Sequence, residues 1–90
     1  MKKIKVENMT SANGNTVPNQ FYIHTNKGTY FQSYKTIIAF ESTIGKVTLD
    51  RYSWDYSVTT GKYRNIFLSE SKKETEAKIK SGEYKLANLN

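Results

Sequence analysis

The spacing of the apolar residues changes once along the chain, and this change limits the folds open to it. In the first half, apolar and polar residues alternate, as at Val47 and Leu49, which is typical of half-buried strands. In the second half they recur at intervals of three and four, as at Tyr63, Ile66 and Phe67, which is typical of one face of a helix. The sequence therefore predicts strands first and helices afterwards.

Turn-forming residues divide the first half into five predicted strands. Short connections that contain a glycine, Asn26-Lys27-Gly28 and Thr43-Ile44-Gly45, predict two hairpins. The segment 8–19 is rich in turn formers and includes Pro18, so we expect one sizeable loop there, either a weak candidate for a functional site or a loop without a role. The predicted strands cover residues 2–7, 20–25, 29–34, 36–42 and 46–50.

Two short helices are predicted next. The apolar stripe indicates a helix over residues 60–68, with Ser57 or Thr59 as its N-cap. Ser71-Lys72-Lys73-Glu74 has the pattern of a capping box, in which Ser and Glu each bond the other's backbone N–H. Gly82 stands where a glycine would end the second helix.

A last strand that carries Tyr84 and Leu86 is expected to rejoin the sheet. The fold class is therefore α+β: a single domain over residues 1–90, with a small antiparallel sheet of about five to six strands and two short C-terminal helices, in the order β-β-β-β-β-α-α-β. After Asp50, apolar residues occupy even-numbered positions, whereas Val47 and Leu49 are odd-numbered, so in one continuous strand the two sets would face opposite sides of the sheet. A bulge or a bend near Asp50 is therefore needed. These residues are expected to form an inner wall between sheet and helix: Tyr52, Trp54, Tyr56 and Val58.

The charge favours polyanionic partners. Fourteen Lys and Arg against eight Asp and Glu give a net charge of +6, which attracts polyanions but also simply aids solubility. The absence of cysteine excludes a disulfide framework and a cysteine-based zinc site. The first ten residues lack the apolar run of a signal peptide, and no window suits a membrane span, so we expect a cytoplasmic protein without membrane contact.

The residues that usually carry catalysis are few. His24 is the only histidine, and Asp50 with Asp55 is the only close pair of acids outside the second helix. No glycine motif that cradles phosphate occurs. We therefore expect no enzyme, no catalytic residues, no metal and no cofactor, with a metal-free ribonuclease that uses Lys, Arg and Tyr as a minor alternative.

Basic and aromatic residues alternate within residues 51–64, and nucleic acid is held by such combinations because every nucleotide offers a phosphate and a flat base. Trp54 is assigned to the core, which leaves the polar residues of this stretch for ligand contact. Arg51, Lys62 and Arg64 are expected to be exposed and to contact phosphates. The predicted nucleic-acid or nucleotide site consists of Arg51, Lys62, Arg64, Asn65, Tyr30 and Tyr34.

Several segments carry a resemblance to a known family. They are Asn19-Gln20-Phe21, Tyr30-Phe31-Gln32-Ser33-Tyr34, Thr36-Ile37-Ile38-Ala39, residues 54–68 (WDYSVTTGKYRNIFL) and Ile79-Lys80-Ser81-Gly82 with Tyr84. Over about residues 4–90 the chain resembles a family of short proteins of unknown function encoded by tailed phages and bacterial mobile elements. The resemblance implies a setting and no catalytic residues. Accessory proteins of that setting often bind host or phage macromolecules, or block defence systems.

Three functions remain as hypotheses. The first is a non-enzymatic accessory protein that binds nucleic acid through its basic, tyrosine-rich surface. The second is a counter-defence protein that inhibits a host immune effector or sequesters a nucleotide signal. The third is a structural or assembly partner. The expected partners are accordingly a nucleic acid or nucleotide, a host protein, or further copies of the chain.

Overall fold

The computed structural model describes residues 4–11 and 13–90, and it confirms the predicted α+β fold and the order of its elements. The predicted first strand, 2–7, begins outside the described residues, and its described part belongs to β1. The elements are β1 (Lys5–Thr10), β2 (Thr16–Thr25), β3 (Gly28–Ser33), β4 (Thr36–Ser42), β5 (Val47–Asp50), α1 (Val58–Leu68), α2 (Lys72–Ser81) and β6 (Lys85–Ala87).

The strands form one sheet in the order β1-β2-β3-β4-β5-β6. The first five pair antiparallel, as predicted, but β6 pairs parallel with β5. The reason is the connection: α1 and α2 carry the chain back to the end of the sheet where β5 begins, which is the crossover that a parallel pair requires.

The predicted loop over 8–19 is much shorter in the structure. β1 continues to Thr10 and β2 begins at Thr16, so the connection is a tight turn around Asn13-Gly14; Ala12 lies outside the described residues. Pro18 lies within β2, where the sequence predicts a loop and excludes only a central strand. It is tolerated because β2 pairs with β3 only from Gln20 onward, and because the register against β1 is irregular at this point.

Both predicted hairpins are present, and a bulge in β4 adds to the core. The register places Phe31 opposite Ala39 but Gln32 opposite Ile37, so Ile38 is an extra residue. As a result, the consecutive residues Ile38 and Ala39 are both fully buried. Tyr34, predicted as the last residue of the strand 29–34, instead lies in the turn after β3 with a φ of 56°.

The helix caps agree with the sequence. Ser57 is the N-cap of α1, where its Oγ accepts from the backbone N–H of Thr60 at 3.1 Å. The capping box of Ser71 and Glu74 starts α2, and Gly82 ends it in the left-handed conformation. Neither helix is long and apolar enough to span a membrane, over the residues that the structure describes.

The helices cover only one face of the sheet. The Phe67 ring of α1 stacks on Phe31 at 5.7 Å between centroids and lies 5.9 Å from Tyr22. The hydroxyls of Thr60 and Ser33 meet at 3.0 Å and fix the start of α1 on β3. The buried hydrophobic core consists of Met9, Phe31, Ile38, Ala39, Val47, Leu49 and Tyr84.

A buried carboxylate joins α2 to the segments on either side of it. Glu70, whose side chain is 3% exposed, accepts from Lys78 at 2.8 Å and from the Tyr84 hydroxyl at 2.7 Å, and also from the Thr75 hydroxyl. Burial raises the pKa of Glu70, but the hydrogen bonds from Lys78, Thr75 and Tyr84 outweigh it, so the pKa lies below its ordinary value. Burial and Glu70 together raise the pKa of Tyr84 to about 12.

The segment between β5 and α1 departs most from expectation. Residues 51–56 form successive turns, so their side chains do not alternate between two faces as they would in a strand. Trp54 packs against the core as predicted. The other three residues of the predicted inner wall are exposed: Tyr52 by 74%, Tyr56 by 54% and Val58 by 92%. Their assignment to the wall was wrong, since the chain bends after Asp50 instead of continuing as a strand.

Candidate functional site

A cleft of about 790 Å³ lies where α1 begins, between the turn that precedes this helix and the first residue of α2. Lys62, Asn65 and Ile66 line it from α1, Tyr56 from the turn, and Lys72 from α2. We call this the helix-start cleft. It brings together positive charge, an exposed aromatic ring and an amide on one surface.

Arg64 forms the floor of the helix-start cleft and is 1% exposed, so the expectation that it is exposed was wrong. Its guanidinium lies 5.2 Å from the centre of the Trp54 ring and donates to the Trp54 carbonyl at 2.6 Å. It also donates to Asp55 Oδ1 at 3.3 Å and to Asn65 Oδ1 at 3.0 Å. Arg64 is buried because it lies one turn beyond the buried Thr60, on the face of α1 that meets the sheet.

One nitrogen of Arg64 has no partner. The Nε atom is buried and makes no hydrogen bond to any described residue. A buried donor without a partner is unfavourable, so an acceptor that reached this floor would gain a charge-assisted bond.

Asp55 joins Arg64 to Lys72. Its Oδ1 faces Arg64 at 3.3 Å and its Oδ2 faces Lys72 at 2.8 Å. Burial raises the pKa of Asp55, but the hydrogen bonds from Lys72 and Arg64 outweigh it and hold the pKa below its ordinary value. Asp55 in turn raises the pKa of Lys72. This one carboxylate therefore faces two cations, and Lys62 adds a third positive charge to the cleft.

The beginning of α1 adds to the positive potential. A helix N-terminus carries about half a positive charge and several backbone N–H groups without helical partners. The first turn of α1 holds no acidic residue that would offset this charge. Ser57 occupies only the N–H of Thr60, and both Ser57 and Val58 line the cleft. An anionic group is therefore favoured at this position.

The structure brings together only three of the six predicted site residues: Lys62, Arg64 and Asn65. Arg51 is exposed after β5 and donates to the Leu86 carbonyl at 3.3 Å. Tyr30 lies in the middle of the sheet, with its ring 4.5 Å from that of Phe40. Tyr34 is 51% exposed in the turn before β4.

Two residues of the cleft were not predicted. Lys72 was considered only as part of the predicted capping-box segment, and nothing in the sequence indicates that it pairs with Asp55, seventeen positions earlier. Tyr56 was assigned to the inner wall. Its position directly before the Ser57 cap was a usable signal, because the residue preceding an N-cap lies beside the open end of the helix.

His24 makes structural contacts. Its Nε2 lies 2.7 Å from Glu7 Oε1 and its Nδ1 lies 3.1 Å from the Thr29 hydroxyl. The hydrogen bond to His24 lowers the pKa of Glu7. Among the described residues, no three His, Asp or Glu side chains lie close enough together to hold a metal ion.

The sequence matches a family of unknown function, DUF8033, over residues 4–83, and the chain belongs to this family. This agrees with the resemblance to a family of unknown function, while the phage setting stays a prediction. Comparison with curated proteins and with solved structures gave no match.

Proposed function

We propose that the protein binds nucleic acid in the helix-start cleft, as a non-enzymatic accessory protein of a phage or another mobile element. The observation that carries the proposal is the grouping of Tyr56, Lys62 and Lys72 around the start of α1, whose first turn holds no acid. Asp55, which lines the same cleft, offsets only one of its three cationic side chains. These groups supply both things that a nucleotide needs, a positive site for the phosphate and a flat surface for the base.

Each group has a role that its geometry suits. The lysines and the first turn of α1 attract phosphates, and Tyr56, which is 54% exposed, offers its ring for stacking. Asn65 Oδ1 accepts from Arg64, so the amide NH₂ is the part of Asn65 that can donate to a ligand. Arg64 supports this surface from below.

A second candidate ligand is a single nucleotide. The cleft volume of about 790 Å³ falls within the range of about 300–1,000 Å³ that small-molecule sites occupy. Binding of this kind would suit a counter-defence protein that sequesters a nucleotide signal. The same residues would contact either ligand, so the two candidates are distinguished by which ligand binds.

Fluorescence anisotropy with labelled single- and double-stranded oligonucleotides, at about 50 mM salt, tests the proposal. We expect binding that weakens steeply as salt is added, since displaced counterions drive such association. Absence of binding to both oligonucleotides contradicts it. If cyclic or linear mononucleotides bind instead and raise the thermal unfolding temperature, the second candidate replaces the first.

A further inference from the structure

The sheet face opposite the helices carries a group of apolar side chains. Tyr22 and Phe31 contact Phe67 of α1, so their strand neighbours face the other way. The register aligns these neighbours in two adjacent rows across β1 to β4. The first row is Val6, Ile23, Tyr30 and Phe40; in the second, Phe21 and Ile37 alternate with the amides Asn8 and Gln32. We call the six apolar residues of the two rows the bare sheet face.

The bare sheet face is separate from the core. The five of its residues that lie in β2, β3 and β4 are partly buried, and Val6 of β1 is 59% exposed. None of the six packs against the core cluster. The molecule is 20 Å thick, enough for one sheet and one layer of helices. Described residues of the chain therefore leave this face uncovered.

Its centre is a broad aromatic surface. The rings of Tyr30 and Phe40 lie 4.5 Å apart. Phe40 leans over Gly28, because a Cβ atom at that glycine would lie 2.8 Å from the Phe40 ring. Gly28 thus makes room for the ring to lie along the sheet.

Within β1 to β4 the face also carries no charge. The rows across β1 to β4 contain no Lys, Arg, Asp or Glu, whereas the same strands present Lys5, Glu7 and Glu41 on the helix side. In a chain of net charge +6 this is a surface where two copies can meet without repulsion. The first row continues through Thr48 of β5 to Lys85 of β6, so a nucleic acid would find a cation at the edge of this face but none among its six residues.

We propose that the bare sheet face is a homodimer interface, in which two copies pack sheet against sheet. The broad side of the molecule measures 34 × 33 Å, enough to supply the ~800 Å² per partner of a standard interface. Homodimer interfaces are more apolar than other protein surfaces, in keeping with these rows. The two sheets would lie about 10 Å apart, with the helix-start clefts on the outside.

Sedimentation velocity or light scattering of the purified chain over a range of concentrations tests the proposal. We expect a mass twice the 10.4 kDa of one chain, little affected by added salt. Ile23→Lys and Phe40→Ser should each yield a monomer with an unchanged circular dichroism spectrum. Ile44→Lys, at a 77% exposed turn position off the face, is the matched control and should remain dimeric.

The proposal is independent of the proposed function, because the bare sheet face and the helix-start cleft have no residue in common. Lys62→Gln with Lys72→Gln should therefore leave the dimer intact. A wild-type chain that is monomeric at all concentrations overturns it. So does a dimer that Ile23→Lys and Phe40→Ser both leave intact. A monomeric wild type whose oligonucleotide binding Ile23→Lys abolishes also overturns it, and would assign the face to nucleic acid.

Discussion

The guanidinium of Arg64 contacts both the ring and the carbonyl oxygen of Trp54, 5.2 Å from the ring centre and 2.6 Å from the oxygen. This contact fixes the turn before α1 against the helix itself. It determines the shape of the helix-start cleft, because Asp55 and Tyr56 follow Trp54 directly in the chain.

Arg64→Lys is therefore expected to lower stability. A lysine cannot reproduce the bonds to Trp54, Asp55 and Asn65 together, so we expect the free energy of unfolding to fall by about 1–3 kcal/mol. Urea unfolding measures the change, with Lys80→Arg on exposed α2 as the control. A variant of wild-type stability that has lost oligonucleotide binding would instead make Arg64 a ligand contact.

Glu70→Gln is expected to lower stability in a pH-dependent manner. The pKa of Glu70 is below its ordinary 4.5 in the folded chain, so its ionised form stabilises the fold above that pH. The stabilisation is lost as pH falls from about 4.5 through the folded pKa. Near neutral pH we expect a loss of about 1–3 kcal/mol, from weakened bonds to Lys78 and Tyr84.

The measurement is urea unfolding of wild type and Glu70→Gln at several pH values. The difference between them should shrink as the medium becomes acidic. Glu83→Gln, at an exposed position, controls for the change in net charge. A difference that stays constant, or grows, on acidification would show that the charge of Glu70 is not what stabilises α2.

Two glycines should respond to alanine with opposite signs. Gly28 has a φ of 151°, and an added Cβ would overlap the Glu41 carbonyl oxygen, so Gly28→Ala should destabilise by about 2 kcal/mol or more. Gly61 lies within α1, where an added Cβ meets Arg64 at an ordinary 3.7 Å. Gly61→Ala should therefore stabilise by about 0.5–1 kcal/mol. Thermal unfolding of both variants checks the pair, and equal signs would be inconsistent with the structure.

Tyr56→Leu should weaken oligonucleotide binding while Tyr56→Phe preserves it. Stacking on one aromatic ring contributes about 1–3 kcal/mol per base, and Phe retains the ring. Tyr52→Leu is the control, because Tyr52 is also exposed but does not line the cleft. Equal losses in Tyr52→Leu and Tyr56→Leu would indicate that exposed tyrosines act without regard to the cleft.

Local interactions made much of the fold predictable. The capping box of Ser71 and Glu74 and the terminal Gly82 depend on residues within a few positions of each other, so the sequence displays them. The two hairpins are local in the same sense. The parallel β6 was missed because its pairing depends on the path of two helices.

The site was harder to predict because its contacts join distant residues. Arg64 bonds to Trp54, ten positions earlier, and through a main-chain carbonyl, which any residue type could have provided. Asp55 and Lys72 are paired by the way α2 returns past the turn. The grouping of Lys62 with Asn65 was visible, since residues three apart share a helix face.

The most direct test of the account compares two double variants with the same charge change. Lys62→Gln with Lys72→Gln removes both cleft lysines, while Lys27→Gln with Lys46→Gln removes two exposed lysines at the hairpin end of the sheet. The affinity for a single-stranded oligonucleotide is measured by anisotropy over a series of salt concentrations. For the cleft variant we expect weaker binding and a slope of log affinity against log salt reduced by about 1.4, at ~0.7 per phosphate contact. The hairpin variant should resemble wild type, and equal losses in the two variants would contradict a nucleic-acid site in the helix-start cleft.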